Sequence, residues 1–350
     1  MHEVSALIVG GGPAGASAAI TLARAGAMPV LVERCPGERD LVCGGFLGWD
    51  AIAALQRLGL DPARLGARPI TRLRLVSRER VVEADLPRRA AGLSRRRLDA
   101  ALLAMAEEAG AAVLRGRTAR ALDGNCLRLD GGEEMEAEAI FLATGKHELR
   151  GAARAIGDRP VSVGLRAALP ELPDLAGTIE LHLFDGGYAG LLAQEDGATN
   201  LCLTVTRTRM ADPESLLAAL VDEAPLLGER IGPDLPSRWE AVAGVPYGWR
   251  TEATTPGCYR LGDQAAVIAS LAGDGIAIAL ASGAAAAHCC LAGEGAEAYQ
   301  RNFARRAARP IAIAEALRRF AARGKRRRLM MGLAGVPGLA KAAARLTRIG

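Results

Sequence analysis

The chain has 350 residues, half of them hydrophobic, with 44 Lys and Arg against 39 Asp and Glu and a formal net charge of +5. That length allows a large buried core in one or two domains, and the apolar content excludes a disordered chain. Seven cysteines (35, 43, 126, 202, 258, 289 and 290) show neither a disulfide spacing nor a CxxC pair, and four scattered histidines assemble no metal site, so a reducing cytoplasm is expected. No export signal is expected either, because the first apolar run carries no cationic stretch before it and belongs to a glycine motif.

Residues 6–9 (ALIV) are all apolar, as in a strand buried on both faces of a parallel sheet. Gly10, Gly12 and Gly15 follow in GGGPAG, then an Ala-rich run with helical spacing that stops at Gly26. PVLVE predicts a second strand ending at Glu33. In such a unit Gly10 makes the tight turn, Gly12 admits a pyrophosphate, and Gly15 lets helix and strand pack closely. The helix N-terminus at Pro13 and Ala14 attracts phosphate charge, and Glu33 accepts from ribose hydroxyls. This is a dinucleotide-binding pattern that NAD and FAD share.

Further along, Cys43-Gly44-Gly45 forms a turn ahead of an amphipathic helix ending at Gly59. The segment SRRRLDAALLAMAEEAG predicts a helix with arginines at its start, Arg95 lying four residues before Asp99 and directed at the same phosphate region. TRLRLVS and VVEADLP read as strands, and TIELHLFDGGYAGLLAQ and TNLCLTVTR as an antiparallel hairpin across a Glu-Asp-Gly turn. One helix is expected from near Asp212 to residue 231.

A short strand then ends in Gly262-Asp263, and Gly273-Asp274-Gly275 opens a helix of small residues. This helix is expected to be buried, since Asp274 and Gly275 interrupt the apolar run short of the roughly 20 residues that span a bilayer. Asp263 suits a ribitol chain, and the helix N-terminus at Gly275 and Ile276 suits the flavin edge where charge gathers on reduction. The pair favours FAD over NAD. From residue 297 the chain reads as Arg-rich helices broken at Gly324 and around Pro337; residues 301–350 hold fourteen Lys and Arg against Glu315 alone. That asymmetry points to an anionic partner.

On these residues the chain, from position 4 to about 290, resembles the flavoprotein family of para-hydroxybenzoate hydroxylase-type monooxygenases, ubiquinone-biosynthesis hydroxylases and geranylgeranyl reductases. The glycine unit, the acid Glu33, the RxxLD signature at Arg95, the Gly262-Asp263 pair and the PxxGxG loop at residues 270–275 carry the resemblance. It implies a fold of α/β class, α+β overall. A Rossmann-type FAD-binding domain is expected from 1–70, 90–160 and 255–295, an antiparallel-sheet substrate domain from 71–89 and 161–254, and basic C-terminal helices over 296–350. It implies FAD contacts from Gly10, Gly12, Pro13, Ala14, Gly15, Glu33, Arg34, Gly44, Gly45, Arg95, Ala119, Thr144, Gly145, Gly262, Asp263, Gly273, Asp274, Gly275 and Ile276, and electrons from NAD(P)H or another external donor.

Two departures bear on the chemistry. Ser270 replaces the proline of PxxGxG, and Thr144 replaces the aspartate of many NADPH-using hydroxylases. Cys43 stands in the Cys-Gly-Gly of the reductases, while of their Tyr-x-Trp-x-Phe-Pro signature only Tyr188 survives, with Gly190, Leu192 and Ala193 at the other places. Cys43, Tyr188 and Ser270 are therefore the catalytic candidates, with Phe46, Trp49, His182 and Trp249 as candidate pocket wall. The first expectation is a monooxygenase hydroxylating a hydrophobic phenolic or polyketide-like molecule; the alternative is a reductase of prenyl or enone double bonds. A hydrophobic small molecule is the expected substrate, and the basic C-terminus is expected to make peripheral membrane contact from the cytoplasm. Nucleic acid is not expected, since only 3% of residues are aromatic.

Overall fold

The computed structural model describes every residue except Met1, Ala211, Asp234 and Leu235. In chain order the first part runs β1 (His2–Val9), α1 (Pro13–Arg24), β2 (Val30–Glu33), β3 (Phe46–Leu47), α2 (Trp49–Arg57), β4 (Arg68–Ser77), β5 (Arg80–Gly92), α3 (Arg95–Glu108), β6 (Ala112–Arg115), β7 (Ala119–Asp123), β8 (Cys126–Leu129) and β9 (Glu134–Leu142). The second part runs β10 (Ser162–Leu169), β11 (Thr178–Phe184), β12 (Gly187–Ala193), β13 (Thr199–Thr206), α4 (Pro213–Glu223), α5 (Pro225–Ile231), β14 (Glu240–Val245) and β15 (Cys258–Arg260). Four helices close the chain: α6 (Gly275–Leu291), α7 (Ala296–Ala321), α8 (Gly324–Ala334) and α9 (Leu339–Leu346).

One sheet has the order β6-β2-β1-β9-β8-β7, with β15 also paired to β9. β6, β2, β1, β9 and β15 are mutually parallel, and the β7–β8 hairpin is antiparallel at the edge. Leu7 and Ile8 are wholly buried, as a strand covered on both faces requires. The helices over this sheet pack closely because their contact residues are small. A Cβ on Gly15 would lie 1.9 Å from the carbonyl oxygen of Gly10, and one on Gly283 of α6 would lie 2.1 Å from that of Ala14 in α1. The small-residue segment is thus a buried helix, as expected.

The second sheet has the order β14-β10-β13-β12-β11-β4-β5-β3. β12 and β13 form the expected hairpin across residues 194–198, but TIELHLFDGGYAGLLAQ is two strands, because Asp185 and Gly186 (φ +72°) fold it back at β11–β12. The single helix expected over 212–231 is also two. Asp212 caps α4 by accepting from Ser215 N, and Pro225, which lacks the N–H that would continue the first helix, begins α5.

The C-terminal helices lie over this second sheet, where Tyr188, Leu181 and Leu75 share a buried cluster with Ala321 and Met331. Their breaks fall where the sequence places them, before Gly324 and around Pro337. Among the described residues no helix is long and apolar enough to cross a membrane.

Candidate active site

Register brings the ends of the parallel strands together: Val9 lies beside Val32 and Leu142, and Leu142 beside Arg260. Gly10, Glu33, Thr144 and Gly262 therefore leave the sheet side by side at its carboxyl edge, where open parallel sheets bind ligands. A cavity of about 1280 Å³ begins there and is lined by all four. It exceeds the roughly 300–1,000 Å³ of an ordinary small-molecule site.

At the near end, Gly10 has φ +108°, and a Cβ there would stand 2.4 Å from the carbonyl oxygen of Ala143, so glycine is required. Over the same loop lies the Arg95 guanidinium, 3.2 Å from where a Gly12 Cβ would be. Asp99 holds that guanidinium with two bonds of 2.8 and 2.7 Å, and Ser94 caps the helix beneath it by accepting from Arg97 N. Backbone N–H groups at the start of α1 and a fixed guanidinium together make an anion cradle. Pro13 and Ala14 line it, while Gly15 faces the strand and serves packing.

Glu33 accepts from Gly11 N at 2.6 Å and from Cys35 N at 2.8 Å. Each of its oxygens keeps a second lone pair for a ligand hydroxyl. Arg34, bonded to His147 at 2.7 Å, lines this end with Ala119, Thr144 and Gly145. Asp263 stands along the cavity, paired at 3.3 Å with Lys146, whose ammonium is held above its ordinary pKa chiefly by that carboxylate. A phosphate cradle flanked by two acids that can bind hydroxyls fits an extended dinucleotide.

Beyond Asp263 the cavity passes the Cys43-Gly44 turn. Asn200 of β13 donates to the carbonyls of Cys43 and Gly44 at 3.0 and 2.9 Å, and itself accepts from Arg166 at 2.9 Å, which is bound to Asp40 and Glu240. Cys43 and Gly44 line the cavity, but Gly45 packs against Gln194 and Leu93 instead. Gly273, Gly275, Ile276 and Phe46 close the far side. Asp274 departs from the expectation: its carboxylate is fully buried away from the cavity, binding Arg348 Nη1 and Ile349 N at 2.9 Å each. It anchors the chain after α9 rather than a cofactor.

Tyr188 and Ser270 meet although 82 residues separate them, their hydroxyls hydrogen-bonded. Tyr247 joins Ser270 at 2.8 Å, and Thr204 lies 3.3 Å from both. All four line the cavity. Burial pushes both tyrosine hydroxyls above the ordinary phenol range, Tyr188 well above it, so they keep their protons. Burial also pushes the adjacent Cys202 thiol up to about 12. Past this cluster the cavity becomes an aliphatic arm between the second sheet and α7, α8 and α9, lined by residues such as Leu75, Leu181, Leu317 and Met330.

The sequence reading missed Tyr247, Thr204, Asn200, Lys146 and Arg348. Only Tyr247, two residues before Trp249, offered a local aromatic signal. Of the expected wall residues, Phe46 lines the cavity, Trp49 sits beneath Arg348, Trp249 is buried against Arg154, and His182 turns into the second sheet to Glu180 at 2.8 Å.

Residues 3–150 match the model of the FAD binding domain family. Over 307 residues the chain is 28% identical to the menaquinone reductase of Mycobacterium tuberculosis, covering 80% of this chain and 75% of that protein. A geranylgeranyl bacteriochlorophyll reductase-like protein from Thermoplasma acidophilum superposes with a TM-score of 0.78 at 18% identity, over 99% of this chain and 97% of that one. PqsL from Pseudomonas aeruginosa, solved with 2-aminobenzoylacetate, superposes at 0.70 with 18% identity over 98% and 99%. Residues 3–150 therefore match the FAD binding domain family, and the whole chain shares its fold with the geranylgeranyl bacteriochlorophyll reductase-like protein and PqsL.

Proposed function

We propose that the protein reduces a carbon–carbon double bond in an isoprenoid or other long-chain lipid. The observation that carries this reading is the aliphatic arm at the C-terminal helices, where the described cavity-lining residues from β4, β11, α7, α8 and α9 include no carboxylate or imidazole. Its support outside the chain is the likeness to menaquinone reductase across most of both proteins. Bound FAD would supply the hydride, with electrons from NAD(P)H or another external donor. The protein's own part is to bind the cofactor through Gly10–Ala14, Arg95, Glu33 and Asp263, to hold the lipid dry in the arm, and to deliver a proton. Hydride to one carbon and a proton to the other complete a two-electron reduction.

Tyr188 is the proton donor in this reading, with Ser270 and Tyr247 behind it as a relay. Both phenols stay protonated through neutral pH, so Tyr188 holds a proton to give, and solvent must return one to it after each turnover. Tyr188→Phe is expected to lower kcat roughly 100-fold, a typical loss for a general acid, with KM little changed. Steady-state kinetics on a short-chain substrate check this; an equal rise in KM with kcat retained would instead assign Tyr188 to binding.

Hydroxylation of a hydrophobic phenol is the second reading, favoured by the same hydroxyl cluster, which offers hydrogen bonds to a phenolic oxygen. Mass spectrometry of products formed under air and under argon separates the two. A gain of two hydrogens that persists under argon supports reduction; a gain of one oxygen that vanishes under argon supports hydroxylation and overturns the reductase reading.

A further inference from the structure

Building on the lipid-substrate reading, we propose that the end of α7, α8 and the turn into α9 form a docking surface for an anionic lipid bilayer, so that the cavity opens into the membrane. Phe320, Leu333 and Leu339 line the cavity and are also 39, 48 and 43% exposed. The aliphatic arm thus reaches the surface through an apolar lip, where a lipid chain can pass without crossing water.

The lip extends beyond the cavity. Leu329 is 56% exposed and lies four residues before Leu333 on the same side of α8, and Val336 continues the patch at 46%. On the other side of α8, Met331 is buried and Arg327 is bound to Ser77 and Asp185, so α8 is fastened to the protein and presents its leucines outward.

The charge around the lip is mostly positive: the acids of the second sheet that reach it, Asp185 and Asp85, are paired with Arg327 at 2.8 Å and Lys341 at 3.4 Å. Lys325, Arg326 and Arg328 are exposed on α8. Glu315, the single acid of residues 301–350, is occupied by Arg318 and Arg319 at 2.7 and 2.8 Å. An apolar patch with three exposed cations beside it and its nearby acids paired complements a surface that is anionic at its headgroups and apolar below them.

The test is sedimentation of the full-length flavoprotein with phosphatidylcholine vesicles, with and without phosphatidylglycerol, and with no substrate present. The protein is expected to pellet with the anionic vesicles, less with the neutral ones, and less at high salt. Lys325→Gln with Arg328→Gln is expected to weaken partitioning roughly thirtyfold, and Leu329→Glu at least about tenfold. Both variants are expected to keep the wild-type thermal midpoint and flavin spectrum, since none of the three residues touches the cavity.

Protein that stays in the supernatant with anionic vesicles at low salt overturns the proposal. So does Leu329→Glu pelleting like wild type, which would make the surface a plain cation patch suited to an acidic protein. Because no turnover is measured, this result is independent of the product assay that decides the reaction.

Discussion

Gly15→Ala is expected to abolish retention of FAD through purification and to lower stability by about 3 kcal/mol, the upper end for overpacking a well-filled contact. The added methyl would sit 1.9 Å from the Gly10 carbonyl oxygen, 3.1 Å from Ile8 and 3.2 Å from Ala143, so relief requires α1 to move off β1. That movement displaces the same N–H groups that face the phosphates, which couples the stability loss to the cofactor loss. Visible flavin absorbance and urea denaturation measure the two effects together. Gly332→Ala on α8 is the contrast: nothing lies within 4 Å of its new methyl, and alanine in a helix is favoured over glycine by up to about 1 kcal/mol. A Gly15→Ala protein that keeps FAD at the wild-type midpoint would refute the packing described.

Arg348→Ala is the second large effect, an expected loss of about 3–5 kcal/mol at neutral pH, because it leaves a buried carboxylate without its partner. Arg348 binds Asp274 at 2.9 Å and the Gly273 carbonyl at 3.2 Å, and lies over the Trp49 ring at 4.3 Å. Burial raises the Asp274 carboxyl to about 6, although Arg348 pulls it the other way.

A folded pKa above the ordinary carboxylate value means that the native state holds this proton more readily than the unfolded chain. Protonation therefore favours the fold as pH falls from about 6 towards 4. Arg348→Ala removes the cation that pulls the Asp274 carboxyl down, so the variant takes up its proton above about 6, and the penalty is largest at higher pH and shrinks as pH falls to about 6. Denaturation near pH 7.5 and near pH 5 checks the sign; an equal penalty at both would mean that the ion pair is not the source. Asp274→Asn is expected to cost less than Arg348→Ala at neutral pH, since the guanidinium keeps Trp49 and Gly273.

Much of the cofactor end was legible from residues 6–33, since a strand, a glycine turn, a helix and a second strand are each written in local pattern. The Glu33 carboxylate and the Gly262-Asp263 turn were readable for the same reason: each ends a short strand, and parallel pairing brings strand ends to one edge. The two misread segments failed at single residues, Pro225 ending a helix and Gly186 folding a strand back, where a breaker outweighed an otherwise continuous periodicity. Asp274 was misplaced because its partners come from residues 348 and 349.

By itself the sequence determined the secondary elements around the cofactor, the glycine loop and the strongly positive charge of the last fifty residues, because periodicity, turn chemistry and composition act over a few residues. Only the tertiary structure decided that Tyr188, Thr204, Tyr247 and Ser270 share one cluster, that Arg348 reaches back to Asp274, and that the C-terminal helices roof an aliphatic arm. Those contacts join residues tens of positions apart, and their partners are chosen by sheet order and helix packing rather than by any local pattern.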